Sequence, residues 1–314
     1  MFEPNSRILI TGSSGLLGFG LLDAISRLSR PDLKLICPSR KEMDCLDRSS
    51  VDRFVRKVKP NYIFHLAALV FGLKGNLNNQ LLSLSKNTLI NDNIFTAISQ
   101  TPVKKIFYAG TVAAYSYPYE SLPLKEEDLL KSDPHWGEYG YAMAKRQALS
   151  YLNLLNRDYS IPYTYGLFTN LYGPNDRFNI ENGHVIPSLI LKALESCREG
   201  RTLKVWGKPT TTRDFLYSID AGDAALHAML NLNGIVNIAS GVESSMHQVV
   251  DSIVTKVQNI PSVVWQSDQP VGIPRRAVDV SKLKQSGFIP SYTLQKGISE
   301  TIDWVRDNEL LLRK

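Results

Sequence analysis

The sequence has few cysteines and no long hydrophobic run. Its three cysteines, Cys37, Cys45 and Cys197, are too few for a disulfide framework, and their spacing fits no metal site. We expect them to be small buried side chains. No stretch of about 18 uncharged apolar residues is present, and the segment MFEPNSRILI lacks a signal-peptide pattern. These absences argue against a secreted or membrane protein and predict a soluble, cytoplasmic one.

Charge of one sign is not concentrated anywhere along the chain. Lys and Arg number 36 and Asp and Glu number 30, which gives a formal net charge of +6. Because the basic residues are scattered, nucleic-acid binding is not favoured. An anionic ligand such as a nucleotide diphosphate explains the bias equally well. A hydrophobic content of 43% against 21% charged residues predicts a folded chain with a sizeable core.

Strand-like and helix-like segments alternate through the first half of the chain. Apolar runs predict strands at 7–11, 33–37, 62–66, 104–109 and 163–169. Helical periodicity between them predicts helices at 16–30, 49–59, 81–100 and 141–157. This alternation predicts an α/β fold, a Rossmann-type doubly wound parallel sheet. We expect that domain at 1–173 and a smaller α/β substrate-binding lobe mainly at 174–314, with some segments returning to the first domain.

A glycine-rich turn, GSSGLLG, joins the first predicted strand to the first helix. Gly12, Gly15 and Gly18 allow a tight turn, a close approach to a pyrophosphate and packing of the helix on the strand. Backbone amides at the helix start, including those of Ser14 and Leu16, can then meet phosphate charge. This strand–turn–helix context predicts a dinucleotide-binding site.

The residues after the second strand discriminate between the two nicotinamide dinucleotides. An NAD enzyme usually has an acidic residue there, about 20 residues after the glycine turn, to hold the ribose 2′-hydroxyl. Asp32 lies at that distance but precedes the strand, whereas Arg40 follows it. A guanidinium can pair with a 2′-phosphate. The sequence therefore favours NADP(H), with NAD as the alternative.

Tyr141 and Lys145, in the segment YAMAK, share one face of a predicted helix. We expect the ammonium group to lower the pKa of the phenol, so that Tyr141 can exchange a proton with a substrate oxygen during hydride transfer. Thr111, at the end of the fourth strand, can hydrogen-bond the same oxygen. The spacing recurs at Tyr292 and Lys296, in a segment predicted to be strand or turn beyond the motif-bearing half. We therefore predict that Thr111, Tyr141 and Lys145 are the catalytic residues.

Together these motifs resemble the extended short-chain dehydrogenase/reductase superfamily. Within it the likeness is greatest to the GDP-L-fucose synthase group, whose members epimerise and reduce GDP-4-keto-6-deoxymannose, and it runs over nearly the whole chain. Motifs shared across the superfamily lie at 39–47, 65–68, 141–145 and 169–176. NGHVIP at 182–187 and VWGKPTTTRDFL at 205–216 are narrower and indicate the fucose synthase group, and IPRRAVDV at 273–280 adds to the likeness.

The resemblance implies roles for further residues. Arg40 would hold the 2′-phosphate, Asp44 and Leu46 would lie by the adenine, and Asn87 would support the helix below the active site. The nucleotide-sugar pocket would include Lys192, where the family has arginine, together with Trp206 and Arg213. The remaining implied contacts are Ala67, Ala68 and Thr169 for the cofactor and Asn170, His184, Val185 and Arg275 for the substrate.

One position departs from the family pattern. In fucose synthases, a cysteine two residues after the catalytic Ser or Thr acts with a histidine to epimerise the carbons beside the ketone. His184 matches the histidine, but Ala113 occupies the cysteine position and cannot abstract a proton. The resemblance thus implies the reductase half of the reaction. It leaves His184 as a working acid, a substrate contact or a histidine satisfied by backbone partners.

The leading functional prediction is NADPH-dependent reduction of the 4-keto group of a GDP-linked 4-keto-deoxysugar. A nucleotide-sugar 4-epimerase with tightly bound NAD would use the same three catalytic residues, and GTVAAY at 110–115 resembles its active-site loop. Arg40 argues against that alternative, because an enzyme that regenerates its bound cofactor in each cycle has no need to recognise a 2′-phosphate.

Two further alternatives are less favoured, and one expectation concerns assembly. A 4,6-dehydratase would carry an acidic pair just after Thr111, where this chain has Val112 and Ala113. A non-catalytic cofactor-binding protein is disfavoured by the intact catalytic residues. The resemblance also implies a homodimer, formed by the helices that follow Leu81 and Tyr141.

Overall fold

The computed structural model describes residues 1–181, 183–266, 272–309 and 312. Asn182 of the NGHVIP motif lies outside the described residues. The strands are β1 (Arg7–Thr11), β2 (Lys34–Ile36), β3 (Tyr62–His65), β4 (Lys105–Thr111), β5 (Tyr163–Phe168), β6 (Asn170–Tyr172), β7 (Leu203–Trp206), β8 (Thr212–Tyr217), β9 (Gly234–Ile238), β10 (Glu243–Ser245), β11 (Val263–Gln266) and β12 (Arg275–Arg276).

Helices alternate with these strands through the first half of the chain, and further helices follow in the second half. The helices are α1 (Leu16–Ser26), α2 (Arg48–Val58), α3 (Leu73–Asn78), α4 (Gln80–Ser99), α5 (Tyr139–Tyr159), α6 (Val185–Glu199), α7 (Ser218–Asn231), α8 (Met246–Val257), α9 (Ser281–Gln285) and α10 (Leu294–Asp307). Within the described ranges, none of them is long and apolar enough to cross a membrane.

A six-stranded parallel sheet forms the centre of the fold, in the order β2-β1-β3-β4-β5-β9. The direction of sheet growth reverses between β1 and β3, and ligands of open α/β sheets bind at the carboxyl ends of strands at such a reversal. Helices α2, α4 and α5 cover one face and α1 and α7 cover the other, each over its own apolar cluster. The predicted doubly wound Rossmann-type fold is confirmed.

Helices α1 and α7 cross at two glycines. A Cβ added at Gly20 would lie 1.9 Å from the Ser218 carbonyl oxygen, and one added at Gly222 would lie 2.0 Å from the Gly20 carbonyl carbon. Neither position has room for a larger side chain. The helix that begins at the glycine-rich turn is thereby packed closely against a helix from the second half of the chain.

The second half of the chain contributes to two regions. Helix α7 and strand β9 complete the central sheet and its cover. Helices α6, α8 and α10 pack with β7 and β8 around a third apolar cluster, which includes Ile190, Val249 and Ile302. The remaining strands form two small sheets, β10-β8-β12 with β6 beside β8, and β11-β7. The boundary at residue 173 remains a prediction.

Two local predictions were wrong. Cys37 is exposed rather than buried, because β2 is an edge strand of the sheet, and Cys45 and Cys197 are partly buried. The segment that carries Lys296 is helical, because the Thr293 side chain accepts a hydrogen bond from the Lys296 backbone N–H and caps α10. Tyr292 lies just before that helix.

Candidate active site

The glycine-rich turn lies at the carboxyl end of β1. Gly12 has a φ of +71°, and a Cβ there would lie 2.7 Å from the Ala67 backbone nitrogen, so the turn packs directly on the chain after β3. A Cβ at Gly18 would lie 2.4 Å from the Ser13 carbonyl oxygen, which fixes α1 against the turn. Gly15 is the N-cap of α1 and has no capping side chain. The first amides of the helix, beginning at Leu16, can therefore bind a phosphate.

Further contacts hold the walls of this site. The Ala67 backbone N–H donates a 3.2 Å hydrogen bond to Thr11 Oγ1, which also lies 2.8 Å from His65 Nδ1. Asn175 Nδ2 donates a 2.9 Å hydrogen bond to the Ser14 carbonyl oxygen. Ala68 is partly buried beside Ala67. The turn is therefore joined both to β3 and to the segment that follows β6.

Arg40 lies four residues beyond the end of β2 on the exposed edge of the site. Its side chain is 77% exposed, and its Nε lies 3.5 Å from Asp44 Oδ2. Asp44 Oδ1 accepts a 3.0 Å hydrogen bond from the Leu46 backbone N–H, which fixes the loop. An exposed ion pair of this length contributes little energy. Arg40 is thus loosely held and available to an anionic group.

Lys145 lies beneath the predicted reaction centre. It is 2% exposed, and its Nζ donates a 2.6 Å hydrogen bond to the Ala109 carbonyl oxygen in β4. The same Nζ lies 5.6 Å from the centre of the Tyr141 ring and 4.6 Å from that of Tyr108. Burial lowers the pKa of Lys145 to about 7. The structure therefore brings the predicted lysine and tyrosine together at the end of β4.

The pKa of Tyr141 shifts in the direction opposite to our prediction. Burial, followed by the negative charge of Glu138, raises it above its usual value. The expected lowering by Lys145 is absent, because burial also disfavours the charged form of that lysine. Burial thus favours the neutral form of the Tyr141 phenol.

Thr111 ends β4 and begins a short 3₁₀ turn, Val112–Ala114. Its Oγ1 accepts a 3.2 Å hydrogen bond from the Ala113 backbone N–H, so its own hydroxyl proton can be donated elsewhere. Ala113 itself is 5% exposed. Helix α5, which carries Tyr141, packs on this turn. The three predicted catalytic residues thus belong to elements in contact.

Asn87 braces the chain near this centre. Its amide oxygen accepts a 2.7 Å hydrogen bond from the Leu69 backbone N–H, and its amide nitrogen donates 3.0 Å to the Leu69 carbonyl and 2.8 Å to that of Ser83. The side chain is buried. It therefore joins the segment after β3 to helix α4, the helix that flanks α5.

His184 is the N-cap residue of α6, and its ring pairs with a carboxylate. Its Nδ1 lies 3.2 Å from Asp176 Oδ1, and the imidazole is 42% exposed. Partial burial and the nearby Arg177 both lower the pKa of His184. The hydrogen bond and the negative charge of Asp176 outweigh these two effects, so the pKa is raised overall. Val185 follows as the first residue of α6 and is 50% exposed.

Several predicted cofactor and substrate contacts lie near one another. Thr169 Oγ1 and Asn170 Nδ2 donate hydrogen bonds of 2.8 and 3.0 Å to the same Asp214 carbonyl oxygen. Lys192 Nζ lies 4.2 Å from the centre of the Trp206 ring, a cation–π contact. Side-chain contacts therefore hold Thr169 and Asn170 to one carbonyl group, and Lys192 to Trp206.

The two consecutive arginines of β12 face opposite ways. Arg275 forms a bidentate ion pair of 2.6 and 2.8 Å with Glu243 on the surface. Arg276 is 7% exposed and pairs with Arg213 in the register of β12 and β8. Arg213 donates 2.7 Å to the Thr212 carbonyl, and burial and Arg276 lower its pKa to about 10. The structure thus places Arg276, rather than Arg275, beside Arg213.

Arg276 is the buried member of a side-chain cluster that the sequence did not predict. Its Nη2 donates 2.5 Å to Glu138 Oε2, and its Nε donates 2.7 Å to the Tyr119 hydroxyl. Burial alone would raise the pKa of Glu138, but Arg276 and Arg213 hold it below its usual range. Successive residues of a strand point to opposite faces. Two consecutive arginines in a strand therefore predict that one of them points inward, but the sequence does not indicate which one.

Comparison with known proteins agrees with this geometry. Residues 8–239 match the model of the NAD dependent epimerase/dehydratase family. The chain belongs to this family, and the predicted extended short-chain dehydrogenase/reductase relationship is confirmed.

Individual relatives resemble the chain over almost its full length. It is 28% identical to GDP-L-colitose synthase of Yersinia pseudotuberculosis, covering 95% of this chain and 97% of that protein. It is also 28% identical to GDP-L-fucose synthase of Escherichia coli K12, covering 96% and 97%. Among solved structures, a GDP-L-fucose synthetase from Naegleria fowleri bound to NADP has a TM-score of 0.91 and 26% identity, covering 100% and 98%.

Proposed function

We propose that the chain reduces the 4-keto group of a GDP-linked 4-keto-deoxysugar with NADPH. The observation that carries this proposal is the contact of the Tyr141 and Lys145 helix with the end of β4, where Lys145 is anchored to Ala109. The GDP-sugar class comes from the relatives whose names specify fucose and colitose synthesis.

The cofactor site fits NADP(H). The first amides of α1 would hold the diphosphate, and Arg40 would pair with the 2′-phosphate. Asp44 and Leu46 would flank the adenine, with Ala67, Ala68 and Thr169 completing the wall. When bound, NADPH supplies the hydride that reaches C4 of the sugar.

Proton delivery falls to this chain's own residues. Tyr141 would donate its phenolic proton to the oxygen at C4. Thr111 would orient the same oxygen through its hydroxyl. Lys145 would position the cofactor. Reduction needs an acid at this position, and a protonated Tyr141 would be that acid.

The substrate diphosphate would lie against the second lobe. Among the described contacts, the Arg213 side chain hydrogen-bonds only the Thr212 carbonyl, so its other N–H donors remain for an anion. Lys192 on the Trp206 face adds a second cation. Asn170, Val185 and Arg275 are proposed to lie nearer the periphery of the sugar nucleotide.

We propose reduction without epimerisation. Ala113 offers no group that can abstract a proton, and its position in the turn after β4 is buried. His184 remains as an acid on its own. The product would therefore keep the C3 and C5 configuration of its precursor.

A homodimer is also proposed. Helices α4 and α5 pack on each other, yet their outer faces expose leucines. These are 78% exposed at Leu81, 42% at Leu82, 37% at Leu89 and 46% at Leu154. Pairing of the two helices with those of a second copy would bury this apolar stripe. Sedimentation of the wild type against Leu81→Lys/Leu154→Lys tests it, and a monomeric wild type would refute it.

The decisive assay offers GDP-4-keto-6-deoxymannose and follows NADPH absorbance, with NMR of the product. Oxidation of NADPH with retained C3 and C5 configuration supports the proposal. A fucose-type product would show that another residue replaces the missing base. No NADPH consumption, with NAD found bound to the purified protein, would favour a 4-epimerase instead.

A further inference from the structure

A buried carboxylate lies behind the His184 imidazole. Asp176 is 3% exposed, and its Oδ1 also accepts a 2.7 Å hydrogen bond from the Arg177 backbone N–H. Its Oδ2 is buried without a hydrogen-bond partner among the residues that the structure describes. An unsatisfied buried carboxylate is costly unless a cation compensates it. His184, 3.2 Å away, is the side chain placed to supply that charge.

The surroundings of His184 otherwise oppose a positive charge. The residue caps the N-terminus of α6, where the helix dipole is positive, and the first turn of that helix contains no acidic residue. Arg177 is a further cation that acts on the ring. Asp176 is therefore the group that must overcome these effects if the imidazole is to be charged.

The turn that carries Asp176 is tied to the cofactor loop. Asp176 N–H closes a turn onto the Gly173 carbonyl, and its neighbour Asn175 donates to the Ser14 carbonyl of the glycine-rich turn. The carboxylate, and through it the imidazole, are thereby held relative to the phosphate-binding site. Because Asp176 engages Nδ1, we expect Nε2 to be the ring nitrogen that faces a ligand.

We propose that Asp176 is a positioning residue that holds His184 in its charged form, with the Nε2–H as a hydrogen-bond donor to the bound sugar. The inference rests on the proposed function in one respect, since it takes the ligand beside His184 to be the keto-sugar. The pairing of the two residues can be measured without any substrate.

The first test is an NMR titration of histidine-labelled protein. The chain has five histidines, and His184→Gln assigns the signal of interest. In the wild type we expect His184 to titrate above about 6.5, the ordinary histidine value. In Asp176→Asn it should titrate at least about one pH unit lower, because the opposing groups remain. Asp176→Glu should restore part of the shift.

A matched control exists on the surface. His247 Nδ1 lies 3.0 Å from Asp251 Oδ2, with side chains 62% and 63% exposed. Asp251→Asn should leave the His184 titration unchanged. An unchanged His184 titration in Asp176→Asn would overturn the proposal, as would a wild-type value below that of an ordinary histidine. If Asp176→Asn does not fold, Asp176→Glu provides the test. A His184 titration in Asp176→Glu that is no longer raised would then contradict the proposal.

A second readout links the pair to catalysis. The KM for the keto-sugar should rise on the alkaline side of the pH profile, and that limb should move to lower pH in Asp176→Asn. A KM independent of pH in both proteins would contradict the donor role. If no keto-sugar is reduced at all, the proposed function fails, whereas the NMR titration still decides the Asp176–His184 pairing.

Discussion

Two tyrosine–lysine pairs with identical spacing occupy very different places in this molecule. Lys296 Nζ lies 4.1 Å from the centre of the Tyr292 ring, closer than Lys145 lies to Tyr141. Yet Lys296 is exposed at the start of α10, whereas Lys145 is buried and anchored to β4. The distance between tyrosine and lysine therefore does not distinguish the two pairs. What distinguishes them is the burial of Lys145 at the carboxyl edge of the central sheet.

The neighbouring arginines of β12 repeat this contrast. Arg275 forms its ion pair in solvent, whereas Arg276 forms one in the interior. Surface pairs contribute about 0–1 kcal/mol, and breaking a buried pair costs far more. Location in the fold therefore determines what the same side chain contributes.

The largest effect is expected for Tyr141→Phe. Loss of the phenolic proton should lower kcat by about 10²–10⁴-fold, the usual contribution of a general acid. Tyr292→Phe is the matched control and should leave kcat and KM unchanged. The assay is NADPH oxidation with the keto-sugar. Equal losses in the two variants would remove the distinction between the pairs.

The second-largest effect is expected for Arg276→Ala, which should lower the stability of the folded protein. It leaves the partly buried Glu138 without its partner, so the free energy of unfolding should fall by up to about 3–5 kcal/mol. Arg275→Ala should change it by less than about 1 kcal/mol. Chemical denaturation measures both. A small effect at Arg276 would mean that Glu138 finds another partner or takes up a proton.

Lys145→Met should raise the melting temperature at neutral pH. The folded-state pKa of Lys145, about 7, lies below the unfolded value of 10.5. The unfolded state therefore binds more protons between these values, so the stability of the wild type rises with pH across that window. The destabilisation by Lys145 is fully present below about pH 7 and is lost by about pH 10.5.

The measurement for this prediction is the melting temperature of both proteins at several pH values. The gain in Lys145→Met should shrink from pH 7 to pH 9. Lys296→Met, the exposed counterpart, should show no such trend. A gain that is constant with pH would mean that ionisation of Lys145 is not its cause.

The smallest expected effect concerns the choice of cofactor. Arg40→Ala should weaken NADPH binding by about 1.5–3 kcal/mol, the value of a charge-assisted hydrogen bond, and leave NADH binding unchanged. Lys41→Ala, an exposed neighbouring cation, serves as the control. Calorimetric titration with both cofactors distinguishes them. A parallel loss for NADH would mean that Arg40 does not contact the 2′-phosphate.

Much of the first half could be predicted from sequence because its signals are local. The glycine-rich turn requires a positive φ at Gly12, and apolar strands alternate with amphipathic helices around it. The predicted strands 7–11 and 62–66 lie within one residue of β1 and β3. Such patterns depend on short-range geometry, which composition and spacing record directly.

The parts that could not be predicted depend on tertiary contacts. Asp176 and His184 are eight residues apart, a spacing that no helical or strand period brings together, and yet their side chains meet. Spacing likewise indicated that Lys145 is near Tyr141 but carried no information on burial, which sets the pKa of both. The cluster of Arg276, Glu138 and Tyr119 joins three distant segments.

The glycine crossing of α1 and α7 has a consequence for modularity. The helix that starts at the phosphate-binding turn is covered by residues 218–231, and the sheet is finished by β9, both encoded after residue 173. A fragment ending at 173 would expose the apolar face of α1 and leave β5 as an open edge. The cofactor half therefore cannot be excised or exchanged as a continuous piece of sequence, and chimaeras need to carry residues 218–238 with it.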